Sequence, residues 1–163
     1  LIRLLLALIL LPSPLFAGVV EWKRGIAAVE SAVGGYSAYN KHTKALGKYQ
    51  FVPRWWWEDI LSFAKIYDIP LKTHQDFLDN PELQEMYMSF VYENYHLPQA
   101  KMLAEDICTV FDLEELAALV HFKGYKDARS WIKTGIDPTT KNNVSIRKYL
   151  EIFNKHRKQE NVQ

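Results

Sequence analysis

Apolar residues recur along most of this chain at three- and four-residue spacing, the period of a helix with one buried face. Trp22, Ile26, Val29 and Val33 form the first stripe and predict a helix over residues 20–32. The paired Gly34 and Gly35 are its stop signal. Residues 36–47 are polar and turn-rich, and predict a surface loop or a short irregular hairpin extending to about residue 50. Pro53, suited to a first helical position, opens a second helix reaching Tyr67, and Asp68-Ile69-Pro70 breaks it. Thr73 is placed to cap a short helix through Leu78. Asp79 or Asn80 caps the next, with Pro81 in its first turn, running to about Tyr95. His96-Leu97-Pro98 predicts another break, followed by helix over residues 100–107. Asp112 caps residues 113–122, with Glu115 three positions on as its capping-box partner. Gly124 interrupts, residues 128–134 resume and Gly135 ends the segment. Residues 137–143 read as a loop, and Ser145 caps a last helix over residues 146–156. The expectation is a mainly α fold: one domain of short helices around a single core, without repeats or linkers.

Composition refines this picture in three ways. With 48% hydrophobic and 24% charged residues, the chain has the material for a core and is unlike a disordered segment. The net charge is +1, and Arg3 accounts for it: the remaining 19 basic residues balance 19 acidic ones. Such balance argues against nucleic-acid binding, which needs a basic face. The single cysteine, Cys108, excludes an internal disulfide and a cysteine zinc cluster. Residues 1–17 have the pattern of an export signal: Arg3, an apolar run over residues 4–11, the breakers Pro12, Ser13 and Pro14, and Ala17 at a cleavage position. The run is short of the about 20 residues a membrane span needs. The expectation is an exported, periplasmic protein, with the leader cleaved near Ala17 or retained as an anchor. Residues 18–163 would then be the working domain.

Three places carry candidate chemistry. Glu30 lies at the edge of the first apolar stripe and near the C-terminal end of its helix. Partial burial and the helix dipole there both favour a protonated carboxyl, which is what a general acid toward a glycosidic oxygen needs. On periodicity alone, a solvated helix-end glutamate is the plainer reading. Gly47-Lys48-Tyr49-Gln50 is a turn that can bring Tyr49 and Gln50 into a cleft, and the Gln amide both donates and accepts, as sugar hydroxyls require. An ordinary turn into the Pro53 helix explains it equally. In His121-Phe122-Lys123-Gly124-Tyr125, Tyr125 can stack on a sugar and His121 can hydrogen-bond, although a lone helical histidine is more often packed or solvated. Trp55, Trp56 and Trp57 cannot share one helix face, since neighbours point about 100° apart, so at least one must be half exposed. There is no phosphate loop, HExxH pattern or Gly-x-Ser-x-Gly nucleophile. The histidines show no ligand spacing, so neither a metal nor another cofactor is expected.

Read in order, these segments resemble the lysozyme-like lytic transglycosylases, bacterial relatives of goose-type lysozyme. Val29-Glu30-Ser31 with Gly35-Tyr36-Ser37-Ala38-Tyr39-Asn40 resembles the family's Glu-Ser motif and the Gly-x-x-x-Ala-x-Asn loop behind it. Ala45-Leu46-Gly47-Lys48-Tyr49-Gln50 resembles its Gly-x-x-Gln segment. Residues 116–125 are similar to the helix whose family pattern is Ala-Tyr-Asn-x-Gly, with His121-Phe122 where the family has Tyr-Asn. Softer similarity lies in residues 77–85, in Asp137 and in residues 144–149, so that the resemblance spans about residues 22–153. It implies a lysozyme-like fold. It also implies cleavage of the bond between N-acetylmuramic acid and N-acetylglucosamine in peptidoglycan, with closure of a 1,6-anhydro ring. Glu30 would be the single acid/base, and Ser31, Tyr49, Gln50, His121 and Tyr125 would contact the glycan. The partner is the peptidoglycan strand, with room for an envelope or secretion-apparatus partner, and a monomer is expected.

Three other readings stay open on sequence. One is a lysozyme-type hydrolase on the same fold, with Glu58 or Asp59 folding back as second carboxylate. Another is a catalytically silent wall-binding component, which the His121-Phe122 departure keeps open and the intact Glu30-Ser31 and Gln50 argue against. The last is a helical interaction module presenting its tryptophans to a partner.

Overall fold

In the structure, a computed structural model, residues 14–30, 34–137 and 144–159 are described. The elements are α1 (Pro14–Glu30), a single 3-10 turn (Gly35–Ser37), α2 (Pro53–Ile66), α3 (His74–Leu78), α4 (Pro81–Val91), a π-helical turn (Tyr92–His96), α5 (Leu97–Asp106), α6 (Leu113–Thr134) and α7 (Ile146–Arg157). Among the described residues there is no extended strand, only the isolated bridges Tyr39–Leu46 and Leu46–Phe51. The mainly α, single-domain expectation is met, and the segment around residues 36–51 is the irregular hairpin.

Local capping chemistry sets most helix starts. Thr73 and Asp112 each accept from the third backbone N–H of their helices, while Asp76 and Glu115 reach back to the cap N–H. Asn80 and Ser145 cap α4 and α7. Each such cap stabilises its helix by about 1 kcal/mol. Two expectations are corrected. Helix α1 begins at Pro14 rather than Val20, so the last four residues of the expected leader lie in it, and residues 1–13 fall outside the described residues. His96-Leu97-Pro98 is not a break. The π turn widens the backbone just before Pro98, which sits in the first turn of α5, where its missing N–H costs little. The helix therefore passes through, carrying His96 with it.

The core is one aromatic-rich cluster. Trp22 and Ile26 of α1 are fully buried, as are Phe51, Ile60, Phe77, Tyr87 and Phe153. Helix α1 packs mainly on α7, and α5 on α6. Gly25 permits the first of these contacts, since a Cβ there would lie 2.4 Å from the Phe153 ring. Arg157, 5% exposed, ties the end of α7 to the start of α6 through Asp112 at 2.6 Å and Glu114 at 3.0 Å. This clamp holds α7 against α6, while the packing of α7 along α1 sets Tyr149 beside the end of α1. No helix among the described residues is long and apolar enough to cross a membrane.

Candidate active site

Glu30 is the last residue of α1 and lies in a cleft of about 620 Å³. The walls come from the hairpin (Asn40, Thr43, Gln50), the start of α2 (Trp55, Trp56) and α6 (His121, Phe122, Lys123), with His96 from the π turn behind. The Glu30 side chain is 23% exposed, so its carboxyl is largely withdrawn from water yet open to the cleft. Tyr149 Oη donates to Glu30 Oε1 at 3.2 Å, and His121 Nε2 stands 3.9 Å from the same oxygen. No lysine or arginine among the described residues pairs with Glu30. Burial, only partly offset by the Tyr149 hydrogen bond, pushes its pKa up to about 7. Glu30 is also the only carboxylate among the residues lining the cleft.

His121 and His96 are held neutral. Burial draws His121 down to about 4, and burial together with the neighbouring His121 draws His96 well below its ordinary value. Their rings meet edge to face, with His121 Nδ1 3.2 Å from His96 Nε2. Tyr149 is fully buried, and the Phe122 ring stacks flat on it at 4.1 Å and 11°. Phe122 therefore acts as packing for the phenol that holds Glu30.

The hairpin presents Gln50 through two left-handed positions, Gly47 at φ 72° and Gln50 at φ 51°. Gln50 Nε2 donates to the Gly47 carbonyl at 2.9 Å, leaving its amide oxygen for the cleft. Gly47 is required twice over. Its φ disfavours other residues, and a Cβ would lie 2.2 Å from Gln84 Oε1. Gln84, fully buried, accepts from Lys48 N and donates to the Tyr36 and Phe77 carbonyls, fixing the hairpin on α4.

The expected site residues divide accordingly. Glu30, Gln50 and His121 converge on the cleft. Ser31 lies outside the described residues. Tyr49 is corrected: it is fully buried, does not line the cleft, and donates to Glu85 Oε1 at 2.7 Å. Burial and the Glu85 charge both push its phenol pKa up. Tyr125 is corrected too. The non-helical Gly124, at φ 76° and ψ 160°, turns the chain so that Tyr125 joins Met102, Glu105 and Arg129 in a separate depression. Glu58 and Asp59 are exposed on α2 and do not line the cleft. Trp55 is the tryptophan left in solvent, 67% exposed at the cleft rim, while Trp56 and Trp57 are half-buried against the core.

Tyr149 and His96 belong to the site, although the sequence assigns neither a role: residues 144–149 carry only a soft similarity, and His96 marks an apparent break. Both arrive from distant segments, one on an amphipathic helix and one beside an apparent helix break. Comparison of the chain with protein-family models, curated proteins and solved structures returns no match.

Proposed function

We propose that this protein cleaves the glycan strands of peptidoglycan as a lytic transglycosylase of the lysozyme-like type, exported to the periplasm, with Glu30 as its acid/base. The observation that carries the reading is a lone carboxyl in a polar and aromatic cleft, holding its proton near neutral pH. Such a group donates to the glycosidic oxygen between N-acetylmuramic acid and N-acetylglucosamine. The bond to the leaving oxygen breaks as that oxygen takes the proton, and the muramic residue's own N-acetyl group shares the positive charge at its anomeric carbon. The Glu30 carboxylate then accepts the proton of the same sugar's 6-hydroxyl, whose oxygen closes the 1,6-anhydro ring. Acid and base are the same group in succession, so no second carboxylate is needed.

The lining supports this scheme against a hydrolase. Two-carboxylate glycosidases place the partner within about 5–10 Å of the acid, whereas Glu58 and Asp59 point to solvent on α2. Gln50 and Asn40 provide amides for hydroxyl and N-acetyl groups, and Trp55 a flat face for a sugar ring at the rim.

The test is mass spectrometry of purified peptidoglycan digested by the wild type and by Glu30→Gln. The amide keeps the shape and the Tyr149 contact but carries no transferable proton. Anhydro-muropeptides from the wild type, with a loss on the order of 10³-fold in the variant and sacculus binding retained, are the expected result. Reducing muropeptides would replace the reading by a hydrolase. Binding without soluble product from either protein would replace it by a wall-binding component.

A further inference from the structure

Two histidines behind Glu30 have no part in the scheme above, and their geometry is unusual. His96 is 5% exposed, its Nε2 lies 3.2 Å from His121 Nδ1, and its Nδ1 is buried without a partner. Trp22 packs on both rings, at 5.6 and 5.9 Å between centroids, and its own Nε1–H is also buried and unpartnered. Only two neutral arrangements fit the contact between the rings. If His121 Nδ1 donates, His96 carries its proton on Nδ1, adding a second orphan N–H to this apolar pocket. If His96 Nε2 donates, the orphan atom is a bare nitrogen lone pair. Buried N–H groups without partners are rarer than under-used acceptors, so the second arrangement is favoured. His121 Nδ1 is then the acceptor, and its remaining proton sits on Nε2, 3.9 Å from Glu30 Oε1.

We infer that His96 and His121 form a fixed-tautomer pair that presents an Nε2–H of His121 to Glu30 Oε1, making His121 a positioning residue for the acid and His96 the residue that sets its polarity. The contact is longer than a hydrogen bond and is drawn shorter as charge develops on the carboxyl. Tyr149 Oη donates to the same oxygen. With both donors on Oε1, the transferable proton resides on Oε2. When the Oε2–H bond breaks and the proton passes to an acceptor oxygen, the new carboxylate is stabilised by two neutral dipoles rather than by a cation, and so remains basic enough to take a proton back. The groups facing Glu30 are Tyr149 from α7, His121 from α6 and, behind it, His96 from the π turn. Lys123 lines the same cleft with its ammonium 4.2 Å over the Phe122 ring. The catalytic consequence rests on the reading of Glu30 as acid/base, whereas the tautomer assignment does not.

The test therefore uses the protein without substrate. Nitrogen-15 NMR of histidine-labelled wild type at neutral pH should show His96 and His121 both protonated on Nε2 and bare on Nδ1. A His121 protonated on Nδ1, or an imidazolium, would overturn the inference without any variant having to fold. Carbon-13 titration of the Glu30 carboxyl then reads the coupling. His121→Phe removes a donor that favours the charged form, so the midpoint should rise by roughly half a pH unit. His96→Leu, which releases the tautomer, should move it the same way. His96→Gln, whose amide N–H replaces the Nε2–H, should return it to the wild-type position. An unchanged or lowered midpoint in His121→Phe would contradict the proposal. These outcomes stand whether or not the wild type releases muropeptides.

Discussion

Glu30 and Glu85 are both part-buried glutamates on helices that pack against each other, and the protein treats them in opposite ways. Glu85, 30% exposed, receives Lys23 Nζ on Oε2 at 2.7 Å. On Oε1 it receives Lys48 Nζ at 2.7 Å, Tyr49 Oη at 2.7 Å and Tyr36 Oη at 2.8 Å. Burial alone would raise its pKa, but these four donors outweigh burial and hold it at about 2. Glu30 is no more exposed, yet receives one phenol and faces one neutral imidazole, and burial wins. Desolvation acts on both but more strongly on Glu30, and the two lysines found only at Glu85 carry it the rest of the way in the other direction. The Glu85 cluster ties α1, α4 and the hairpin together and keeps its charge fixed. The Glu30 end of α1 is left with a group whose proton can move near neutral pH. Within one small fold, the difference separates an ion pair that holds structure from a carboxyl able to do acid and base work.

The two glutamates should affect stability with opposite dependence on pH. Glu30 binds a proton in the folded state from its unfolded value of 4.5 up to about 7, so stability falls as pH rises through that window. Glu30→Gln should therefore be more stable than wild type at pH 8 by about 3 kcal/mol, with the gain vanishing below the unfolded value. Denaturant unfolding at a series of pH values measures it. Equal stability of the two proteins at alkaline pH would mean that Glu30 is an ordinary solvated carboxyl. Glu85 carries the opposite sign. Its contribution is present above 4.5 and is lost as pH falls through about 2. Glu85→Gln should cost about 2 kcal/mol at neutral pH, discounted for its partial exposure and reduced further by salt, and the deficit should shrink in acid. Trp55→Ala provides the smallest effect. Stability should stay within about 0.5 kcal/mol, because the ring is exposed, while KM for glycan strands rises if the rim holds a sugar.

What the sequence made legible follows the range of the forces involved. Thr73, Asn80, Asp112 and Ser145 cap their helices through partners three residues away, so the caps could be read locally. Glu30 was visible because the stripe of Trp22 and Ile26 placed it at a buried edge, and the tryptophan triplet because helical geometry forbids a shared face. The π turn was not legible, since Pro98 alone resembles a break and the wider backbone that absorbs it leaves no residue signature. The turn at Gly47 points Tyr49 toward a cleft on local grounds, but Gln84 and Glu85, distant in sequence, draw the hairpin down and turn the phenol inward. Tyr125 was expected beside His121 because Gly124 marks an interruption without stating its direction. Tyr149 reaches Glu30 through the packing of α7 on α1, and His96 reaches His121 through the packing of the π turn on α6, long-range outcomes that no local pattern encodes.

The most direct measurement is a carbon-13 titration of glutamate-labelled wild-type protein, with Glu30 and Glu85 followed in the same spectra. Glu30 should titrate at about 7 and Glu85 at about 2. A Glu30 midpoint in the ordinary carboxylate range would rule out Glu30 as the acid, since the cleft would then hold no proton to give at neutral pH.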